Sequence, residues 1–393
     1  MADVIIVGAG PAGAALAYLL AGQGLGVQLL DRAAFPRDKT CGDCLSPRAV
    51  ASLGRLGLLD AVLADGWKVR NVLVIAPSGH ALRAPIPAGR GNPDFALVLP
   101  RLRLDGLLLR RAVAAGADFL PGHHVTGLTW SGGRVVGVKV GEADLRARLV
   151  VLATGAAMGL LRRAGLLAGD PPLAQAARTY CEGMAGLSDA LEIHLNADLL
   201  PGYGWVFPIS PDAANVGAGY CGQAGGRLPR ALLEDFLSGP ALAGRMSGAR
   251  RPAPARGYPL RLDFETARPA LPGLALVGEA CGLVSPLTGE GIEYALESAA
   301  CAAELFGPAL RRGEASGVAA REYSRALRGR FLPAFRSALR VRSLFGWRWG
   351  LDRLVAAACR NKALADEFLN VALGNVDPAE MLSLKTLMRV LLG

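Results

Sequence analysis

Long apolar runs are missing from these 393 residues. The longest, Leu149 to Leu161, is too short and too glycine-broken to cross a bilayer. A secretory leader is not expected either, because the first strand already begins at residue 4. Cysteine is sparse and odd in number, seven scattered residues, which argues against a disulfide framework and fits a reducing compartment. Histidine is scarcer still. His80, His123, His124 and His194, with a single C-x-x-C, lack the spacing of a metal site, so no metal is expected. Internal repeats, low-complexity tracts and nucleic-acid recognition motifs are absent from the pattern. With 52% hydrophobic side chains the chain buries a large core in two or so structural domains, and a cytoplasmic or membrane-surface protein is expected.

Negative charge is short and lysine is scarce, so the net charge of +10 comes almost entirely from arginine. Eleven arginines fall between Arg311 and Arg353, against Glu314, Glu322 and Asp352. Leu344, Phe345, Trp347 and Trp349 are interspersed among them. Such a stretch suits an anionic membrane surface, a diphosphate-bearing ligand or a solvated helical face.

What the chain does carry begins at once. Val4 to Val7 is an apolar strand that breaks into Gly8-Ala9-Gly10-Pro11-Ala12-Gly13. In such a turn the first glycine permits the reversal, the second lets backbone approach a pyrophosphate, and the third lets the next helix pack against the strand. The required context follows: a helical stretch from Pro11 to Gln23, glycines at 22, 24 and 26, then a second apolar strand, Val27 to Leu30, ending on Asp31. A carboxylate there accepts hydrogen bonds from a ribose, so the ligand expected is a dinucleotide.

The remaining pattern predicts a helix over Leu45 to Leu63 and antiparallel strand pieces over 67–98. A helix follows over Arg101 to Ala115, then strands at Phe119–Leu120, Val125–Trp130, Arg134–Val140 and Leu149–Ala153 with a Ser131-Gly132-Gly133 hairpin. Strand alternation resumes over Ala177 to Tyr220, a helix is expected over Leu228 to Leu237, a buried strand over Leu274 to Val277, and helices from Gly291 onward. Taken together this is an α/β chain with three parts. A discontinuous dinucleotide-binding domain comprises 1–66, 99–175 and 268–305, an antiparallel α+β substrate domain comprises 67–98 and 176–267, and 306–393 is helical.

Five motifs in this order resemble the flavoprotein group-A hydroxylase fold, of the para-hydroxybenzoate hydroxylase type, and within it the geranylgeranyl reductase family. The resemblance runs from residue 1 to about residue 300 and implies a Rossmann-like FAD-binding domain. The first motif is the turn carrying Gly8, Gly10, Ala12 and Gly13, with Asp31 and Arg32 at the end of the second strand; the family more often has glutamate in place of Asp31. The second, Lys39-Thr40-Cys41-Gly42-Asp43-Cys44, matches the family's Cys-Gly-Asp loop against the flavin ring. The resemblance covers Cys41 but not Cys44, and it implies a polar contact or proton source at Cys41. The third, Leu99-Pro100-Arg101-Leu102-Arg103, implies that Arg101 reaches the FAD phosphates, where a guanidinium fork matches phosphate oxygens. The fourth, Val150 to Gly155, implies a strand ending beside the cofactor, with Gly155 and Val125 in contact. The fifth is Gly278-Glu279-Ala280 followed by Pro286-Leu287-Thr288-Gly289-Glu290-Gly291-Ile292. It implies cofactor contacts from Glu279, Pro286, Gly289, Gly291 and Ile292, with Glu279 standing where aspartate is usual.

Tyr203-Gly204-Trp205-Val206-Phe207-Pro208 resembles the family's Tyr-x-Trp-x-Phe-Pro signature. Aromatics two apart on a strand share a face, so Tyr203, Trp205 and Phe207, with Pro208, imply one apolar wall for a polyprenyl substrate. The activity implied is saturation of carbon–carbon double bonds by hydride from reduced FAD, with Cys41 and Tyr203 as nominees for the proton. NAD(P)H or a ferredoxin is implied as electron donor. An aromatic hydroxylase shares every FAD motif, a halogenase needs a lysine this chain does not place, and a redox-inactive lipid-binding protein is a further alternative.

Overall fold

A computed structural model describes residues 1–89, 91–167, 169–222, 227–314, 316–345 and 347–392, without the side chains of residues 197, 316, 345 and 392. The Phe345 side chain named above therefore lies outside the described residues. The fold is mixed α/β with a helical C-terminus, built on three sheets.

The largest sheet has a parallel centre. Strand Ala2–Val7 pairs in parallel with Val27–Asp31 on one side and with Ala143–Leu152 on the other. Asp118–Pro121 and Leu274–Leu276 extend it outward, also in parallel. Central parallel strands are covered on both faces, which explains the unbroken apolar runs Val4–Val7 and Leu149–Leu152, all buried. Ala143–Leu152 is longer than its apolar stretch alone predicts. Its first half continues outward as the antiparallel partner of Arg134–Val140, which in turn pairs with Val125–Ser131. Helices Pro11–Ala21, Arg101–Ala114 and Ile292–Arg311 pack together against this sheet.

The second sheet has seven strands in the order Arg256–Arg261, Leu173–Glu182, Ala213–Cys221, Gly202–Pro208, Ala190–His194, Asn71–Ile75 and Ala81–Pro85. Its pairings are antiparallel except between Ala190–His194 and Asn71–Ile75. The sheet thus draws in residues from 173 onward, slightly before the boundary read from sequence. The ends of segment 67–98 go elsewhere: in a small third sheet Ala96–Val98 is the centre, antiparallel to Trp67–Val69 on one side and to Cys44–Leu45 on the other.

The single helix expected over Leu45 to Leu63 is two helices, Pro47–Arg55 and Leu59–Asp65. Gly57 between them adopts φ +69°, a left-handed conformation that ends a helix and that glycine adopts without strain. Leu45 itself is strand, and Ser46 caps the first helix by accepting from the Ala49 amide at 3.3 Å.

After the Ile292–Arg311 helix comes the 30-residue helix Ser316–Phe345, whose Phe331 and Phe335 meet Phe264 and Tyr294 edge-on at 5.1–6.3 Å. Helices Arg348–Arg360 and Lys362–Ala372 then lie against the Ala81–Pro85 edge of the seven-stranded sheet. That placement forms an apolar cluster which includes Trp205 and Phe207 of the sheet and Leu354, Val355 and Leu369 of the helices.

Candidate active site

A cavity of about 810 Å³ runs from the glycine turn, past the Gly202–Pro208 strand, to the C-terminal helices. The turn shows three different reasons for three glycines. A Cβ on Gly13 would lie 1.8 Å from the Gly8 carbonyl oxygen, so this glycine lets the helix seat on the strand. One on Gly8 would lie 2.4 Å from the carbonyl oxygen of Ala153, so that glycine lets the turn pass the end of the neighbouring strand. Gly8 also holds φ +106°. Gly10 differs. A Cβ there would meet nothing nearer than Arg37 Nη2 at 3.7 Å and Arg101 Nη2 at 3.8 Å, both guanidinium tips. Gly10 opens the Pro11–Ala21 helix without a side-chain cap, so the helix's first amides are left for a ligand. Free amides, a helix N-terminus and two guanidiniums suit a pyrophosphate, and the residues present fit FAD.

Asp105 organises this cradle. It takes Arg101 Nε and Nη2 at 2.6 and 2.8 Å and Arg37 Nη1 at 2.9 Å, while fully buried. Arg101 is buried and Arg103 exposed, which settles which of the two faces the cavity. Arg37 escaped the sequence reading because it sits in an irregular loop 68 residues from its partner. Asp31 lines the cavity, with its carboxylate already oriented by the Ala9 and Ala33 amides at 2.8 and 2.9 Å. Each oxygen retains a lone pair for a ribose hydroxyl. Arg32, Ala12, Val125 and Gly155 also line this end. Glu279 does too, pairing with Lys39 at 3.6 Å and accepting from the Arg261 amide at 3.3 Å.

In the middle of the cavity the Cys41-Gly42-Asp43 loop crosses the aromatic strand. Tyr203, Trp205 and Phe207 all line the cavity, with ring centroids 5.9 Å apart for Tyr203–Trp205 and 6.2 Å for the stacked pair Trp205–Phe207. Gly204, on the opposite face, lies against Phe236. A Cβ on Gly42 would sit 3.3 Å from Phe207 Cε2 and 3.4 Å from Trp205 Nε1, so glycine lets the loop press on the wall. Asp43 is fully buried at φ +63°, and its carboxylate faces protein: Tyr180 Oη donates at 2.6 Å and Asn215 Nδ2 at 2.8 Å. Burial pushes this carboxyl up to about 6, against those hydrogen bonds and the charges of Arg178 and Arg101. Arg178, itself buried, pairs with Asp38 at 2.5 Å beneath the same loop. Tyr180 and Arg178 belong to no local signature in the sequence, whereas Asn215 opens the Asn215-Val216-Gly217-Ala218-Gly219 run that follows the aromatic signature.

The Cys41 thiol is pushed up by burial, and Cys44 more so. The Tyr203 hydroxyl is likewise raised by burial and donates to the Thr288 carbonyl at 2.5 Å. Gly289, Gly291 and Ile292 line the cavity beside it. Three residues implied by the resemblance are not among the described lining residues: Gly13, Pro208 and Pro286. Beyond the wall the chamber is apolar, between Val72, Val74, Leu191 and Ile193 of the sheet and Leu351, Leu354, Phe368 and Met381 of the C-terminal region.

A phosphate cradle on a parallel sheet, joined to an apolar chamber on an antiparallel one, defines an FAD-dependent oxidoreductase. An FAD binding domain family matches residues 1–166. The menaquinone reductase of Mycolicibacterium smegmatis is 35% identical over 315 residues, 78% of this chain and 76% of that one. Digeranylgeranylglycerophospholipid reductase 1 of Methanopyrus kandleri is 31% identical over 351 residues, 86% of this chain and 89% of that one. The crystal structure of a geranylgeranyl bacteriochlorophyll reductase-like protein from Thermoplasma acidophilum shares the fold, with TM-score 0.82 at 23% identity over 97% of this chain and 99% of that one. The chain belongs to the geranylgeranyl reductase family of FAD-dependent oxidoreductases.

Proposed function

We propose that this enzyme saturates carbon–carbon double bonds of a polyprenyl chain held in the apolar chamber. The observation that carries the reading is the continuity of that chamber with the FAD cradle through the Tyr203–Trp205–Phe207 wall. Relatives named for a menaquinone and for a digeranylgeranylglycerophospholipid support a lipid substrate. Bound FAD supplies the hydride, after reduction by NAD(P)H or a ferredoxin. The chain's own part is to hold and dehydrate the alkene. The aromatic faces of the wall stabilise positive charge developing on carbon, and the apolar lining disfavours water beside the alkene.

Pro201 and Arg342 line both this chamber and an adjoining surface cleft that reaches Trp347. Trp347 and Trp349 stack 5.4 Å apart, each about half exposed, beside exposed Leu344. Among the described residues no helix is long and apolar enough to cross a membrane. The reading is therefore of an interfacial patch at the chamber mouth, where exposed tryptophans and arginines meet anionic headgroups and a prenyl chain enters from the bilayer.

The test is mass spectrometry of a polyprenyl lipid incubated with the photoreduced holoenzyme without oxygen. Gains of two hydrogens per bond are expected. An oxygen-dependent gain of one oxygen would establish the hydroxylase reading instead, and an unaltered lipid with every donor would establish a redox-inactive binding protein.

A further inference from the structure

Saturating an alkene takes a hydride and a proton, and in an apolar chamber a lining acid is the group placed to supply the proton. The titratable groups lining the chamber at the aromatic wall are Cys41, Asp43, Cys44, Tyr203, Cys221, Glu290 and Glu293. The Asp43 carboxylate is turned into the protein by Tyr180, Asn215 and the Arg101 amide. The Tyr203 hydroxyl donates its hydrogen bond to the Thr288 carbonyl. The three thiols are weakened as acids by burial. The two glutamates remain.

Their placement is built. Ser285 folds the loop by accepting the Leu287 and Thr288 amides on Oγ, and its own amide donates to the Glu290 carbonyl at 2.7 Å. Gly289 turns the chain at φ +75°. The loop that anchors Tyr203 at Thr288 thus presents Glu290 two residues later. Glu293 follows in the first turn of the Ile292–Arg311 helix, 3% exposed and lining the same chamber. Arg48 gives Nε and Nη2 to Glu297, both at 2.6 Å, rather than to either of these carboxyls, and Arg330 closes on Glu297 at 2.8 Å.

We propose that Glu290 is the acid that protonates the alkene as the hydride arrives, and that Glu293, three residues on, shares and restores that proton. The inference rests on the reductase reading above. Burial, and then the charge of Glu293, push the Glu290 carboxyl well above the usual carboxylate range, and burial with the charge of Glu297 pushes Glu293 up to about 7. Both shifts run against the pull of Arg48, and they favour the protonated form of Glu290. The groups facing it are Arg48 from helix Pro47–Arg55, Cys44 from the small sheet, Tyr203 from the aromatic strand, and Glu293 and Tyr294 from the helix that follows it. In the step one alkene carbon receives the hydride with its two electrons from reduced flavin, and the π electrons take the Glu290 proton at the other carbon. The hydrocarbon gains two hydrogens and the flavin is left oxidised. The negative charge leaving an anionic reduced flavin reappears on the Glu290 carboxylate, so the net charge of the chamber is unchanged. Solvent returns the proton through Glu293.

The experiment uses the holoenzyme, with single-turnover oxidation of photoreduced flavin by a polyprenyl lipid and infrared difference spectroscopy at neutral pH. Glu290→Gln should retain flavin yet transfer at least about 100-fold more slowly. It should also lose a protonated-carboxyl C=O stretch that the wild type shows. That band is read in the wild type as well, so the test does not depend on the variant's folding. A wild type that saturates no prenyl chain defeats the reductase reading. An active wild type lacking the band, or a Glu290→Gln enzyme as fast as wild type, overturns the role of Glu290 alone.

Discussion

The side-chain oxygen of Asn215 accepts the indole N–H of Trp205 at 3.0 Å, while its nitrogen donates to the Cys41 carbonyl and the Asp43 carboxylate, both at 2.8 Å. One fully buried amide therefore ties the aromatic wall to the loop over the cofactor, with both of its faces committed.

Replacing Asn215 by leucine orphans the Trp205 N–H and removes two bonds from the loop. A loss of about 2–3 kcal/mol in stability is expected, since each buried group left unpaired costs about 1–3 kcal/mol. Denaturant unfolding checks it, and a stability equal to wild type would show that the amide is not the tie.

Gly10→Val should give a folded protein without FAD, because its side chain would occupy the space kept open for the pyrophosphate. Gly13→Ala should fail earlier, at folding, against the Gly8 carbonyl. Absorbance of the purified proteins separates the two; full flavin occupancy in folded Gly10→Val contradicts the cradle.

Trp205→Ala should lower turnover more than melting temperature, since the ring lines the chamber. Gly217→Ala should do likewise with flavin retained, because its methyl would lie 2.0 Å from Trp205 Cζ2 and must displace the ring. A large fall in melting temperature with normal turnover of the remaining enzyme would make Trp205 plain core.

Asp43 titrates near 6 in the folded chain and near 3.9 when unfolded. Its neutral form is the one the fold favours. The contribution is thus complete below about pH 4 and is lost as pH rises through about 6, amounting to about 3 kcal/mol. Asparagine tolerates the left-handed backbone at this position. The stability difference between wild type and Asp43→Asn should therefore shift across pH 4 to 6; a flat difference would contradict the burial account.

Changing Trp347 and Trp349 together to alanine should reduce sedimentation with anionic vesicles, and added salt should weaken wild-type binding over a Debye length of about 8 Å. Equal recovery with neutral and anionic vesicles at every salt concentration would leave the patch a solvated face.

Much of this protein is written in short stretches of its sequence. The Gly8–Gly13 turn, the helix after it and the shared face of Tyr203, Trp205 and Phe207 depend on spacing within a few residues, where turn chemistry and strand period act directly, while the choice of Arg101 over Arg103 came from the family resemblance. Even there, one glycine at 57 divided a helix that apolar periodicity ran together. Tertiary structure alone decided what meets across the chain. Arg37 reaches Asp105, Asn215 reaches Cys41 and Asp43, and Arg48 is committed to Glu297. It also set helices from the basic C-terminal stretch over the seven-stranded sheet, closing the chamber with Leu351, Leu354 and Phe368. Such convergences leave no local periodicity, because a charge or carboxyl is tuned by whatever long-range packing brings beside it, and burial is a property of the whole fold.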